Sequence, residues 1–182
     1  VHRLSSLLLA ALIAAAPAVQ AHDDAGGALR PEQRQALARA RAATAVFHDF
    51  RAALAAGYGP GPVVDLQGLS CIDNPTVGAM GLHYVNGNRL SVFLSEREPQ
   101  ALIYEPQADG SQRLVGAEYI VFEAPWRAAH GDIPPRLFGR DFHHVPAGNR
   151  YGLPAFYALH AWLWRPNPLG PFADWNPAVR CP

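Results

Sequence analysis

The spacing of hydrophobic and polar positions changes once along the chain, from a helical period to a strand period. Between Pro31 and Gly57, the residues Leu37, Ala40, Thr44, Phe47, Arg51 and Leu54 recur at three- and four-residue steps and form one stripe. This spacing predicts one long N-terminal helix. Pro31-Glu32-Gln33 opens it, since proline suits a first helical position, and Gly57 with Gly59-Pro60-Gly61-Pro62 ends it. His48 and Asp49 flank the stripe and are expected on its exposed edge.

Beyond Gly61 the period shortens to two. Residues 80–85 read as a strand with His83 on the side opposite Leu82 and Tyr84. Residues 101–105 and 113–122 flank the turn pair Asp109-Gly110 and predict an antiparallel hairpin. Residues 137–145 are expected to form another short strand. Residues 158–164 predict one with His160, Trp162 and Trp164 on one face and Leu159, Ala161 and Leu163 on the other. A short helix is expected over residues 153–157, and the tail from Asn167 to Pro177 reads as a turn-rich loop. With 17 Pro and 16 Gly, long ordered loops are expected. The expected fold class is therefore α+β, with one long N-terminal helix packed on a mostly antiparallel sheet with long Pro/Gly-rich loops.

The first residues carry a different signal. His2 and Arg3, an apolar run over residues 7–16 and then Pro17-Ala18-Val19-Gln20-Ala21 match a secretory leader, so residues 1–21 are expected to be a signal peptide. The competing reading is a membrane anchor, but the apolar run is only about half the roughly 20 residues a spanning helix needs. Residues 22–182 are expected to be a single globular domain, with 22–29 flexible, no transmembrane span after cleavage and a periplasmic or secreted location. Cys71 and Cys181 fit that address as a disulfide pair, against the alternative of two buried thiols.

Charge removes some function classes. The 15 basic side chains, all Arg, balance 15 acidic ones, so there is no basic footprint for nucleic acid. There is also no G-x-S-x-G elbow, phosphate-binding Gly-rich loop, H-E-x-x-H or C-x-x-C. A small-molecule or envelope partner is left unspecified.

What remains is a set of polar side chains inside apolar strands. Glu118 lies in the run Val115-Gly116-Ala117-Glu118-Tyr119-Ile120-Val121-Phe122, where a carboxylate must be protonated, paired or bound to a cation. His83 and His160 hold similar mid-strand positions. The three are expected to converge as a metal site, with Glu105 or His143 as a fourth ligand or its orienter, and at most one of His143 and His144 facing inward. Imidazole and carboxylate suit zinc, copper or iron. The alternative is a closed hydrogen-bond network, for instance Glu118 with Arg89 or Arg140 and the histidines on backbone carbonyls, in a non-catalytic binding or structural module. A second candidate is His22, whose free α-amine after cleavage would chelate copper(II) together with its imidazole.

Residues 78–84 (GAMGLHY), 102–106 (LIYEP), 114–119 (LVGAEY) and 172–177 (FADWNP) resemble an uncharacterised family of exported bacterial proteins. The likeness spans nearly all of residues 22–182 and implies no activity. A fainter similarity links His83, the 102–105 strand and the 114–121 strand to the plant oil-body-associated proteins. The sequence departs from those at Phe142-His143-His144, so the similarity implies a shared sheet and not a lipid-droplet role.

Overall fold

The computed structural model describes residues 28–181; the expected signal peptide, the 22–27 stretch and His22 lie outside the described residues. Helix α1 (Pro31–Thr44) starts at the predicted proline, and the buried Gln33 accepts a hydrogen bond from the Arg30 N–H at 3.0 Å. A 3-10 turn (Ala45–His48) and the short helix α2 (Phe50–Ala55) follow. The predicted single long helix is thus broken at Asp49. That residue is extended (φ −76°, ψ 103°), and its carboxylate caps the new helix by accepting from Arg51 N–H at 3.0 Å. The break also rotates the apolar stripe. Leu37, Ala40, Thr44 and Phe47 are buried as expected, but Arg51 and Leu54 are exposed, and Phe50 and Ala53 turn inward in their place. His48 and Asp49 are exposed.

Among the described residues the main sheet has six strands, all antiparallel to their neighbours, in the order β1-β2-β3-β4-β8-β7. They are β1 (Cys71–Asn74), β2 (Gly78–Val85), β3 (Ala101–Pro106), β4 (Gln112–Phe122), β7 (His143–Val145) and β8 (Phe156–Ala161). Strands β3 and β4 form the predicted hairpin, with Gly110 at φ +81° in its turn. Helix α3 (Glu123–His130) follows β4 directly and carries Pro125 in its first turn, where proline is tolerated.

Two sequence expectations are corrected here. The strand expected over 137–145 is three fragments: β5 (Arg136–Leu137) and β6 (Arg140–Asp141) form their own small hairpin, and only β7 joins the main sheet. The turn between β5 and β6 places Phe138 and Gly139 at φ +53° and +68°, the backbone of a tight hairpin turn, and buries the Phe138 ring against Tyr119. No helix forms over residues 153–157. Pro154 lacks an amide donor, the Ala155 carbonyl accepts from Glu123 N–H at 2.9 Å, and Phe156 already begins β8.

The two faces of the sheet differ in kind. One face packs against the helices. Leu82, Tyr84, Leu102, Tyr104 and Leu114 meet Phe47, Phe50 and Ala53, while Ala117, Tyr119, Leu159, Ala161 and Leu163 meet Ala36, Leu37 and Ala40. Buried tyrosines fasten this layer through their hydroxyls: Tyr104 donates to the Phe47 carbonyl at 2.8 Å, and Tyr119 to the Glu96 carbonyl at 2.7 Å. Trp164, predicted on the His160 face, lies past the end of β8 and donates instead to Thr44 Oγ1 at 3.2 Å. Among the described residues no helix is long and apolar enough to cross a membrane.

The opposite face is concave. His83 and His160 lie on β2 and β8, three strand spacings apart, or about 14 Å across a flat sheet. Their side chains nevertheless touch, so the sheet must curl. Register shifts at Ile72/Asp73 and Ile103/Tyr104 add local bend and twist. Gly116 lets the end of β8 approach, because a Cβ there would sit 2.8 Å from the Ala161 carbonyl oxygen. The C-terminal loop crosses one end of this concave face. It is held by the Cys71–Cys181 disulfide, by the paired backbones of Ala79 and Asn176, and by the fully buried Val179.

Candidate metal centre

Strand pairing puts the three polar interruptions on one surface. In β2, His83 is opposite Ile103 of β3; in β4, Glu118 is opposite Ala101 of β3 on one side and His160 of β8 on the other. Period-two alternation sends Leu82, Tyr84, Tyr119 and Leu159 to the helix side and leaves His83, Glu118 and His160 inside the curl. All three are buried, with 7%, 8% and 3% of their surface exposed.

The two imidazole Nε2 atoms are 3.1 Å apart. Glu118 reaches them with separate oxygens: Oε2 is 3.6 Å from His83 Nε2 and Oε1 is 3.8 Å from His160 Nε2. One ligand atom from each residue lies within 4.8 Å of the others, so the group can hold a metal ion. Bonds of about 2.0–2.1 Å in a tetrahedral site separate ligand atoms by about 3.3–3.4 Å. The 3.1 Å between the imidazole nitrogens is slightly below that value, and Glu118, whose two oxygens each face a different histidine, would have to turn one oxygen toward both nitrogens to complete three corners.

Each histidine is oriented by its other contacts. His83 bonds to the Gly81 backbone, and burial pulls its basicity down, with the neighbouring His160 adding to the effect and Glu118 opposing it. For His160 burial acts in the same direction but is outweighed by Glu118 and Asp174, so its basicity is raised. Asp174 Oδ1 lies 3.5 Å from His160 Nδ1, within ion-pair range but without the alignment of a good hydrogen bond. Burial would raise the Asp174 carboxyl, yet contact with His160 holds it below its usual range. A carboxylate behind a ligating imidazole fixes which nitrogen faces the ion.

The other expected residues lie elsewhere. Glu105 is on β3, but its carboxylate accepts the Arg180 N–H at 3.0 Å and pairs with Arg113 at 3.5 Å, so it anchors the C-terminal loop and is not part of the cluster. His143 sits exposed on the edge strand opposite Ala158 and lines the same cleft as His160 and Asp174, outside the three-residue group. His144 faces the other way and contacts Glu123 at 3.2 Å. Arg89 lies over the Tyr58 ring, 5.5 Å from its centroid. Arg140, the other arginine expected beside Glu118, lies over the Phe172 ring, 5.8 Å from its centroid, and Glu118 pairs with the two histidines.

Sequence reasoning missed Asp174 and Tyr151, both of which come from loops. Tyr151 borders the cleft beside Glu118, and burial pushes its phenol up to about 12, so its hydroxyl stays protonated. The cleft has a volume of about 290 Å³, and His83, Glu118 and His160 are all in its wall. No protein-family model, curated protein or solved structure matches the chain, so the geometry of the site alone carries its functional reading.

Proposed function

We propose that the protein is an exported metal-binding protein that holds one divalent transition ion through His83 Nε2, His160 Nε2 and Glu118, in the manner of metal-dependent enzymes with two histidines and one carboxylate. The observation that carries this reading is the convergence of two buried imidazole nitrogens, 3.1 Å apart, with a buried carboxylate beside both. This ligand set suits zinc or iron(II), and copper to a lesser degree. When bound, such an ion supplies Lewis acidity and lowers the pKa of a coordinated water. The chain's own residues supply the rest: Asp174 orients His160, and the apolar strands around the cluster keep bulk water away. The open side faces the cleft, which leaves room for a further ligand. The disulfide fits an oxidising compartment and supports the export part of the proposal.

The test is metal stoichiometry of untagged protein alongside His83→Ala, Glu118→Gln and His160→Ala, with folding checked by circular dichroism. We expect about one equivalent of zinc or iron in the wild type, at least a hundredfold loss of affinity in each variant, and thermal stabilisation by added ion in the wild type alone. A wild type that neither retains nor is stabilised by zinc, iron(II) or copper(II) would refute the site and leave a closed histidine–glutamate network.

A further inference from the structure

The concave face changes character one step along its strands from the cluster. Two residues beyond His83 on β2 is Val85; two and four beyond Glu118 on β4 are Ile120 and Phe122; four before His160 on β8 is Phe156. Because β2 and β4 run in the same direction and β8 in the opposite one, these side chains gather at a single end of the sheet. With Val63, Ile72 and Leu90 they line a second cavity of about 80 Å³. His83, Glu118 and Tyr151 stand in the walls of both this chamber and the 290 Å³ cleft, so the cluster lies where the two meet.

We propose that the chamber binds the short apolar group of a small amphipathic substrate whose polar, metal-seeking end sits on His83, Glu118 and His160. This inference deepens the metal reading and rests on it. The division of labour rests on where the charged side chains lie. Both spaces are largely apolar and share Phe156, but the cleft adds the charged or titratable His143, Arg150 and Asp174, whereas the chamber beyond the ligands offers a substrate valine, isoleucine and phenylalanine surfaces with Ser70 and Tyr151. Its volume is about half the roughly 150 Å³ of an engineered cavity that holds benzene, which leaves room for about three to five carbons. Together the two spaces reach the lower end of the size range of small-molecule sites, about 300–1,000 Å³. The outer wall is built by two loops carrying Val63 and Leu153. They are joined by the Asp65–Arg150 ion pair at 2.6 Å and by the Leu66 N–H donating to the Arg150 carbonyl at 3.0 Å.

Two probe series test this. On zinc-loaded protein, straight-chain hydroxamates from acetohydroxamate to octanohydroxamate present the same chelating head with a growing tail. On metal-free protein, 1-alkanols from ethanol to hexanol probe the chamber alone, read by ligand-observed NMR. We expect affinity to rise roughly three- to fourfold per methylene over about four carbons and then level off. Ile120→Trp should flatten both series while zinc stoichiometry stays at the wild-type value. Val85→Phe serves the same purpose should Ile120→Trp fail to fold. Equal affinities for acetohydroxamate and hexanohydroxamate, or an unchanged slope in a folded filled variant, overturn the chamber even if zinc binds. Absence of zinc binding with a chain-length slope in the alkanols overturns the metal-head half of the proposal and the metal reading, but not the chamber.

Discussion

Replacing both Cys71 and Cys181 by alanine should destabilise the protein mainly through its unfolded state. The disulfide closes a loop with a sequence separation of 110 residues. The chain-entropy relation gives about 4.8 kcal/mol for a loop of that length, and measured losses for native disulfides are typically about 2–5 kcal/mol. The native state itself should change little, because the C-terminal loop has other ties: Trp162 Nε1 donates to the Ala173 carbonyl at 2.6 Å, Asn176 and Ala79 exchange backbone hydrogen bonds at 3.0 and 3.2 Å, and Arg165 donates to the Ala178 carbonyl at 2.7 Å. For a domain of this size about 1 kcal/mol corresponds to about 2–4 °C, so a fall in Tm of about 4–20 °C is expected. Urea denaturation separates the causes. Releasing the crosslink lets the unfolded chain expose more surface, so the m value should rise as the extrapolated stability falls. A loss under about 1 kcal/mol with an unchanged m value, or two alkylatable thiols in the native wild type, would refute the reasoning.

Two further outcomes follow from side chains around the site. Asp174→Asn keeps the shape but removes the charge behind His160, and should weaken zinc binding by about 10–100-fold in a competition titration while the metal-free protein unfolds at nearly the wild-type urea midpoint. Asp65 is held below the usual carboxylate range by its Arg150 ion pair and by the Leu69 and Gln67 amides. Its folded pKa is the lower one, so its stabilisation is full above the ordinary carboxylate value near 4 and fades as pH drops through the depressed value. Asp65→Asn should therefore be less stable than the wild type at neutral pH and approach it in acid, as read from urea midpoints between pH 7 and pH 3; a constant gap across that range would sink the assignment.

The site was legible in part because strands alternate. A histidine or glutamate between apolar neighbours announces itself, and the face assignment of His83 against Leu82 and Tyr84 needed only the two-residue period. Convergence was another matter. Strands β4 and β8 are neighbours although helix α3 and strands β5–β7 separate them in the chain, and that pairing, which sets Glu118 beside His160, is a tertiary choice. The curl that then brings His83 across three strands depends on Gly116 and on two register shifts, which no local pattern announces. Glu105 shows the converse failure. It too follows apolar strand residues, but its partners are the Arg180 backbone and Arg113, contributed by a loop and a neighbouring strand. The helix break at Asp49 was hidden because alanine-rich flanks favour helix on both sides, and the competing side-chain cap is a single hydrogen bond.

The internal chemistry of the cluster argues for an occupant. Two imidazole nitrogens 3.1 Å apart cannot both present lone pairs to each other, so in the absence of a cation a proton must lie between them. The groups behind the rings act unequally on that proton: burial disfavours a charged His83, while Glu118 and Asp174 together favour a charged His160. His160 thus stands between two carboxyl groups, with Glu118 Oε1 3.8 Å from its Nε2 and Asp174 Oδ1 3.5 Å from its Nδ1. A divalent ion in the same space would replace the proton, release it to solvent and give both nitrogens and Glu118 a common partner. A purely structural contact could join such strands with fewer buried polar groups, since well-packed apolar residues often match or exceed a buried polar cluster in stability. The position of the cluster at the meeting of an open cleft and an apolar chamber, instead of deep beneath the helices, is where a ligand site gains from that expense.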